Sequence, residues 1–247
     1  MLQQFDKAAQ TYNDHATIQE VSAHKLVEMT SSHQPLSILD IGCGSGLLTS
    51  KIATRHPNAT IDAIDRSPAM INQLNQEVIP NLTLICNDYI QVSLAKRYDL
   101  IVSNAALHWM DIHQSFERIA SQLKPTGTCY LAIFGAQTSL ELAHCLPKIN
   151  RHCPIIAKKF LTHNDALSIG EHYFSHWEIN TKVITIPFKS VRELLKTQKM
   201  TGVNQKPSAD GLWTPRSLQA LEQEMITQYG QVQLSYEIHF CKGDHNQ

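Results

Sequence analysis

The 247-residue sequence has little of what marks a secreted, metal-bound or membrane-spanning protein. Its six cysteines (43, 86, 129, 145, 153 and 241) include no CxxC pair, so neither a zinc ribbon nor a thioredoxin-type redox site is indicated. They read as reduced thiols, which points to a cytoplasmic setting. The thirteen histidines show no HExxH and no finger spacing, so no metal site is expected. No apolar run approaches the ~20 residues of a membrane span. The N-terminal Met1-Leu2-Gln3-Gln4-Phe5-Asp6 has neither the basic nor the apolar part of a signal peptide. Internal repeats and low-complexity tracts are absent. A large charge excess is absent too: the formal net charge is -1, which leaves no overall basic footprint for nucleic acid. A chain of this length buries roughly 70–75% of its unfolded surface, so a single domain needs no disulfide or metal support.

What the sequence does contain is alternation. Apolar runs at 36–41, 59–64, 82–87, 98–103 and 128–134 read as strands, with helices between them. Ser67-Pro68 supplies an N-cap and a first-turn proline for the helix after the second run. Strands separated by helices predict a parallel sheet covered on both faces. Ligands then bind outside the carboxyl ends of the strands, where Asp40, Asp65, Asp88 and Asn104 fall. Residues 1–30 read as helical, 138–176 as helices and loops, and 177–188 as a long strand. Helices are expected at 190–201 and 214–229, with a mobile loop at 202–213. The final run, 232–240, alternates with period two, which suits an antiparallel edge strand.

The most informative stretch is Asp40-Ile41-Gly42-Cys43-Gly44-Ser45-Gly46, set between a strand and a helix start. Glycine lets such a turn take unusual dihedrals and lets a ligand touch the backbone. The helix behind it offers free N–H groups and a positive dipole end. The spacing is G-x-G-x-G rather than the G-x-G-x-x-G of a pyrophosphate site. A carboxylate at Asp40 would repel pyrophosphate but suits a ligand carrying an ammonium group and a sulfonium. Asp65 ends the second strand, where an acid reaches ribose hydroxyls. Asn87-Asp88-Tyr89 follows the third.

In register over residues 36–89, these features resemble the class I S-adenosylmethionine-dependent methyltransferases. That resemblance implies a Rossmann-like α/β fold with a mostly parallel seven-stranded sheet and an antiparallel last strand. It implies one domain: a helical lid (1–30), a cofactor-binding core (36–135), an insertion and strand (136–213), and a C-terminal helix and strand (214–247). It also implies S-adenosylmethionine as cofactor, with Asp40, Gly42, Cys43, Gly44, Gly46, Asp65, Arg66, Met70, Asn87, Asp88, Tyr89 and Asn104 around it.

The loop after the fourth strand, Ser103-Asn104-Ala105-Ala106-Leu107-His108-Trp109, lacks the proline pair of base-amino methylation and the Pro-Cys of pyrimidine C5 chemistry. Together with 5–12, Phe134-Gly135, Phe160-Leu161, 195–202 and Leu234-Ser235-Tyr236, it is similar to the malonyl-[acyl-carrier protein] O-methyltransferase family of biotin synthesis. Two positions depart from that family: Gly202-Val203 stands for its usual Gly-Ala, and Lys196 lies where an Arg is common. The resemblance implies methylation of the free carboxylate of a malonyl thioester. Tyr12 and Trp109 would wall the pocket, and Lys196 or Lys199 would grip the carboxylate, with Arg192 on the same helix. Residues 145–206 carry ten Lys/Arg against four acids, a net of +6, leaving -7 for the remainder. That stretch is expected to dock an acidic acyl-carrier protein onto a monomeric enzyme. Two other readings stay open: a small-molecule carboxyl methyltransferase of the trans-aconitate type, and a non-methylating assembly factor or hydroxylase of the same fold.

Overall fold

The computed structural model describes residues 2–149, 156–201 and 213–245; for residues 2–5, 7, 8, 156 and 158 it describes the backbone alone. The loop expected at 202–213 therefore lies almost wholly outside the described residues, as does Cys153. Seven strands form one sheet: β1 (Ser37–Ile41), β2 (Thr60–Asp65), β3 (Leu82–Cys86), β4 (Tyr98–Asn104), β5 (Leu123–Phe134), β6 (His176–Pro187) and β7 (Gln233–Asp244). Their spatial order is β3-β2-β1-β4-β5-β7-β6. Strands β1 to β5 pair in parallel, and β7 runs antiparallel to both β5 and β6.

Every residue of β1 is buried, because helices cover both faces of the sheet. Alternate residues serve opposite cores. Leu39, Ile41 and Ile101 pack with Phe116, Ile119 and Trp177 on one face. Ile38, Leu100 and Val102 pack with Leu26, Leu48 and Ile52 on the other. The helices are α1 (Leu2–His15), α2 (Thr17–Met29), α3 (Leu47–Arg55), α4 (Pro68–Leu74), α5 (Ile112–Gln122), α6 (Leu140–Lys148), α7 (His163–Tyr173), α8 (Val191–Met200) and α9 (Pro215–Tyr229). A third apolar cluster joins α6, α8 and α9 through Leu142, Leu194 and Leu221. Ser67 caps α4 by accepting the Met70 N–H at 3.3 Å, with Pro68 in the first turn, as the sequence predicts. No helix among the described residues is long and apolar enough to cross a membrane.

One expectation is corrected. The last strand is antiparallel but not at the edge: β7 lies inside the sheet and β6 takes the rim. The polar positions of β7 suggested exposure, yet Ser235, Glu237 and His239 are all buried. Each has found a partner. Ser235 Oγ donates to Glu141, Glu237 accepts the Gln137 N–H, and His239 sits between Thr181 Oγ1 and the Leu161 carbonyl. Period two reads polarity, and buried polarity is affordable once it is hydrogen-bonded.

The position of the site follows from topology. β1 pairs with β2 on one side and β4 on the other, so the winding reverses between them and a crevice opens at their carboxyl ends. Helix α1 is tied across this crevice. Ser67 Oγ donates to Asp6, Ser45 Oγ to Asn13, and Thr11 Oγ1 to the Met200 sulfur, the last at 3.4 Å.

Candidate functional site

The glycine turn is held open from below. Gly42 and Cys43 both donate their N–H groups to the Ile64 carbonyl, at 2.8 and 3.1 Å. Gly46 caps α3 with φ +95°, and a Cβ there would lie 2.4 Å from Leu74 Cδ1. Its role is close packing in a left-handed conformation, and it lies outside the cavity walls. Gly44 differs: a Cβ would meet nothing within 4 Å, so its backbone faces open space.

Asp65 fixes this turn. Its carboxylate accepts the Gly44 N–H at 2.9 Å and the Ser67 N–H at 2.8 Å, joining the loop to the start of α4. Burial pushes its pKa up, while those two N–H groups pull it down. Asp40 is 1% exposed. One oxygen accepts from Thr49 Oγ1 at 2.7 Å and the other has no partner among the described residues. Burial pushes its pKa up to about 7, opposed by the Thr49 hydroxyl and reinforced by Asp65. A buried orphan carboxylate oxygen is costly unless a donor or cation reaches it. A recess of about 30 Å³ lies beside Asp40, bounded by Gly42, Gly44, Tyr12 and Gln19. An ammonium group fits that chemistry, so these residues suit the S-adenosylmethionine expected from the sequence.

The main cavity, of about 310 Å³, is walled by Tyr12, Gly42, Gly44, Asp65, Arg66, Met70, Asn87, Asp88, Tyr89, Asn104 and Trp109 among others. The structure thus brings together eleven of the sixteen sequence candidates; Asp40 and Cys43 adjoin them through the recess. Several are already engaged. Tyr89 turns its hydroxyl into the core, donating to Gln122. Asn104 accepts from Ser22 Oγ and donates to the Gln19 carbonyl, so its amide fastens α2 to β4. Burial, and then Asp40, push the Cys43 thiol well above its usual range, which suits packing and not nucleophilic attack. Burial and then the nearby Asp65 carboxylate push the Tyr12 phenol above its usual range, so it remains a hydrogen-bond donor.

A second cavity, of about 210 Å³, shares Trp109 with the first. Phe134, Phe160, Phe188 and Tyr236 give it aromatic walls, and Gln19, Thr138 and Gln198 add polar groups. Helix α8 presents Glu193, Thr197 and Gln198 to it, with Thr201 just beyond the helix end. Lys196 and Lys199 are exposed and belong to neither wall. The carboxylate grip expected of them is not supplied by their position: about 100° per residue turns them away from the face that carries Leu194, Gln198 and Thr201. The i, i+4, i+7 spacing of those three buried residues was the available sign. Sequence reasoning passed over Gln19 and Gln198 because uncharged amides carry no motif. His108 lies within 5 Å, centroid to centroid, of Phe134, Phe160 and Trp109. Burial pushes its imidazole down to about 3, so it stays neutral.

Comparison with known proteins agrees with this geometry. Residues 38–127 match the methyltransferase domain family. The malonyl-[acyl-carrier protein] O-methyltransferase 1 of Ilyobacter polytropus is 30% identical over 232 residues, 92% of this chain and 86% of the relative. The chain belongs to the malonyl-[acyl-carrier protein] O-methyltransferase family. A second member from Ilyobacter polytropus is 30% identical over 244 residues, 97% of this chain and 90% of its own. One from Priestia megaterium is 36% identical over 181 residues, 71% of this chain and 63% of the relative. Solved structures agree on the fold. The YcgJ protein from Bacillus subtilis superposes with TM-score 0.63 at 11% identity, covering 91% of this chain and 100% of that one. The plantazolicin methyltransferase BpumL, solved with SAH, gives 0.56 at 17% identity, covering 97% and 90%.

Proposed function

We propose that this methyltransferase uses S-adenosylmethionine to methylate the free carboxylate of a malonyl thioester on acyl-carrier protein, giving the methyl ester that primes pimeloyl and biotin synthesis. The observation that carries the reading is the meeting of two cavities at Trp109 in a chain of this family: a glycine-and-acid cavity suited to the cofactor, and an aromatic one suited to an acyl thioester. When bound, the cofactor supplies an electrophilic methyl group on a sulfonium. Asp65 would take the ribose hydroxyls, and Asp40 the ammonium end. Asn87, Asp88 and Met70 would border the adenine.

The chemistry asks little of the protein in proton transfer. A carboxylate with a pKa near 4 is already ionised at pH 7, so no general base is required. One carboxylate O–C bond would form as the cofactor's S–CH3 bond breaks, the electron pair of that bond staying on sulfur as a neutral thioether, and no proton moves. The protein must orient and desolvate the carboxylate. Such positioning is worth roughly 7–11 kcal/mol. Tyr12 would donate to the acceptor, and Trp109 would separate it from water.

The basic stretch 145–206 supports docking of the acidic carrier. Its described cations Lys148, Lys159, Lys182, Lys189, Arg192, Lys196 and Lys199 are all exposed, Lys148 being paired with Glu224. Exposed charge of this kind steers association. Lys196 and Lys199 fit this role better than a carboxylate grip. The buried free thiols of Cys43, Cys129, Cys145 and Cys241 suit work in the reducing cytoplasm. The deciding experiment supplies a labelled methyl donor with malonyl-carrier protein, malonyl-coenzyme A and trans-aconitate in parallel. Label on the malonyl thioesters is expected. Label on trans-aconitate alone, or on nothing, sinks the reading.

A further inference from the structure

Two buried amides of the second cavity stand out because no described residue hydrogen-bonds their side-chain oxygens. Gln198 is 4% exposed and Gln19 is 6% exposed. Both line this cavity, and the Oε1 of each is buried without a hydrogen-bond partner. Leaving such an atom unpaired is costly, and the cost is recovered when a donor arrives. Gln19 is not loosely held: its backbone carbonyl accepts from Ser22 Oγ and Asn104 Nδ2, and its side chain is hydrogen-bonded to the Tyr12 phenol, which leaves Gln198 as the freer amide.

The wall chemistry says which part of a substrate belongs there. A carboxylate brings only acceptors, which two orphan carbonyl oxygens would oppose. Asp14 and Glu193 in the same wall oppose it further, and His15 is the one potential cation there, with no lysine or arginine among the described wall residues. A secondary amide is complementary. Its N–H can donate to a glutamine Oε1 and its C=O can accept from the same side chain's Nε2. The aromatic rings of the wall would cover the methylenes on either side.

Resting on the proposed reaction, we infer that the second cavity receives the amide-bearing arm of the thioester, and that Gln198, assisted by Gln19, recognises an amide of that arm. Carrier proteins and coenzyme A both present acyl groups on a flexible arm containing secondary amides. Its order from the reacting end is carboxylate, thioester, amide. That order places the carboxylate at the Trp109 junction, beside the cofactor cavity, and the amide deeper in the second. Gln198 is then a specificity-determining residue that separates pantetheine-type thioesters from free di- and tricarboxylates.

Two malonyl thioesters of equal length test this: one of N-acetylcysteamine, which has an amide, and one of pentanethiol, in which methylenes replace it. The wild-type enzyme is expected to favour the first by about 10-fold in kcat/KM, the value of one well-placed hydrogen bond in a site built for it. Gln198→Met should bring the ratio to within about twofold, and Gln19→Met should lower it partway. Circular dichroism and a cooperative thermal melt of each variant check that it is folded, because Gln19 also borders the recess beside Asp40; a variant that fails leaves the wild-type ratio as the deciding result. A wild-type enzyme that methylates the carrier substrate but treats the two analogues alike, or uses neither, overturns the inference while leaving the proposed function intact. A preference that survives in both folded variants also overturns it. No methylation of the carrier substrate itself takes down both.

Discussion

At the cofactor end, the polar contacts that hold the glycine turn come from one short stretch of sheet and loop. Gly44 and Ser67 both donate to Asp65, and Gly42 and Cys43 to Ile64. At the acceptor end, the walls are assembled from α2, the turn after β5, α8 and β7, through Gln19, Thr138, Gln198 and Tyr236. The helix α1 spans both, with Ser67 held to Asp6 at one end and Met200 to Thr11, 189 positions apart in sequence, at the other. The first region is rigid backbone with a fixed spacing of acids and glycines. The second is a set of side chains from distant elements, and its chemistry is carried by uncharged groups. On the proposed function, the first would hold a ligand that does not vary, and the second could be retuned by single substitutions.

The sharpest way to break that contrast is at the glycine turn. Gly42 has φ +69°, and a Cβ there would sit 2.2 Å from the Ala106 Cβ. Gly42→Val should reduce cofactor affinity by more than about 100-fold, since neither backbone can yield cheaply. Calorimetric titration of the variant, with circular dichroism to follow the fold, checks it.

Asp65→Ala comes next. It removes the expected ribose contacts and the acceptor for two loop N–H groups. A loss of roughly 10–100-fold in cofactor affinity is expected, and unchanged affinity in a folded variant would remove Asp65 from the site.

Asp40 distinguishes binding from stability. Its folded pKa, about 7, lies above the usual carboxylate value. Between about pH 4 and 7 the folded chain keeps a proton that the unfolded chain releases, so this group's contribution to stability falls as pH rises through that window. Asp40→Asn should therefore stabilise the ligand-free protein above pH 7, on the order of 2–4 kcal/mol. The same change should weaken the cofactor and flatten the rise of its affinity between pH 6 and 8. Thermal melts and titrations across that range read both effects. A variant less stable than the wild type at pH 8 would contradict the assignment.

Smaller effects belong to the junction and the surface. Tyr12→Phe should lower turnover several-fold, more than it lowers cofactor affinity, and wild-type turnover would return the residue to simple packing. Lys196→Met should change kcat/KM for malonyl-coenzyme A by no more than about threefold, because the side chain is outside both cavities. On the carrier substrate the loss should be larger and should fade as salt rises, given a Debye length near 8 Å at physiological ionic strength. A drop above 10-fold with coenzyme A would put Lys196 back at the carboxylate.

The sequence by itself determined the cofactor end. The Asp40–Gly46 turn, Asp65 at the tip of β2 and the alternation of strands and helices are local features, and local backbone geometry places them. The antiparallel direction of the last strand was expected from its period-two pattern and from the family resemblance, and its pairing with β5 and β6 agrees. The position of that strand was not legible, because Ser235, Glu237 and His239 are polar and buried, and only their partners in α6, the turn after β5 and β6 explain it. The acceptor end was decided by tertiary structure alone. Which face of α8 meets the cavity depends on how α8 packs against α9 and the sheet through Leu194. Charge in the sequence pointed to Lys196 and Lys199, while the packed helix turned Gln198 inward. Near its start a helix can be read from its caps, but the partner of its inner face lies far away in sequence and is chosen only when the whole chain closes.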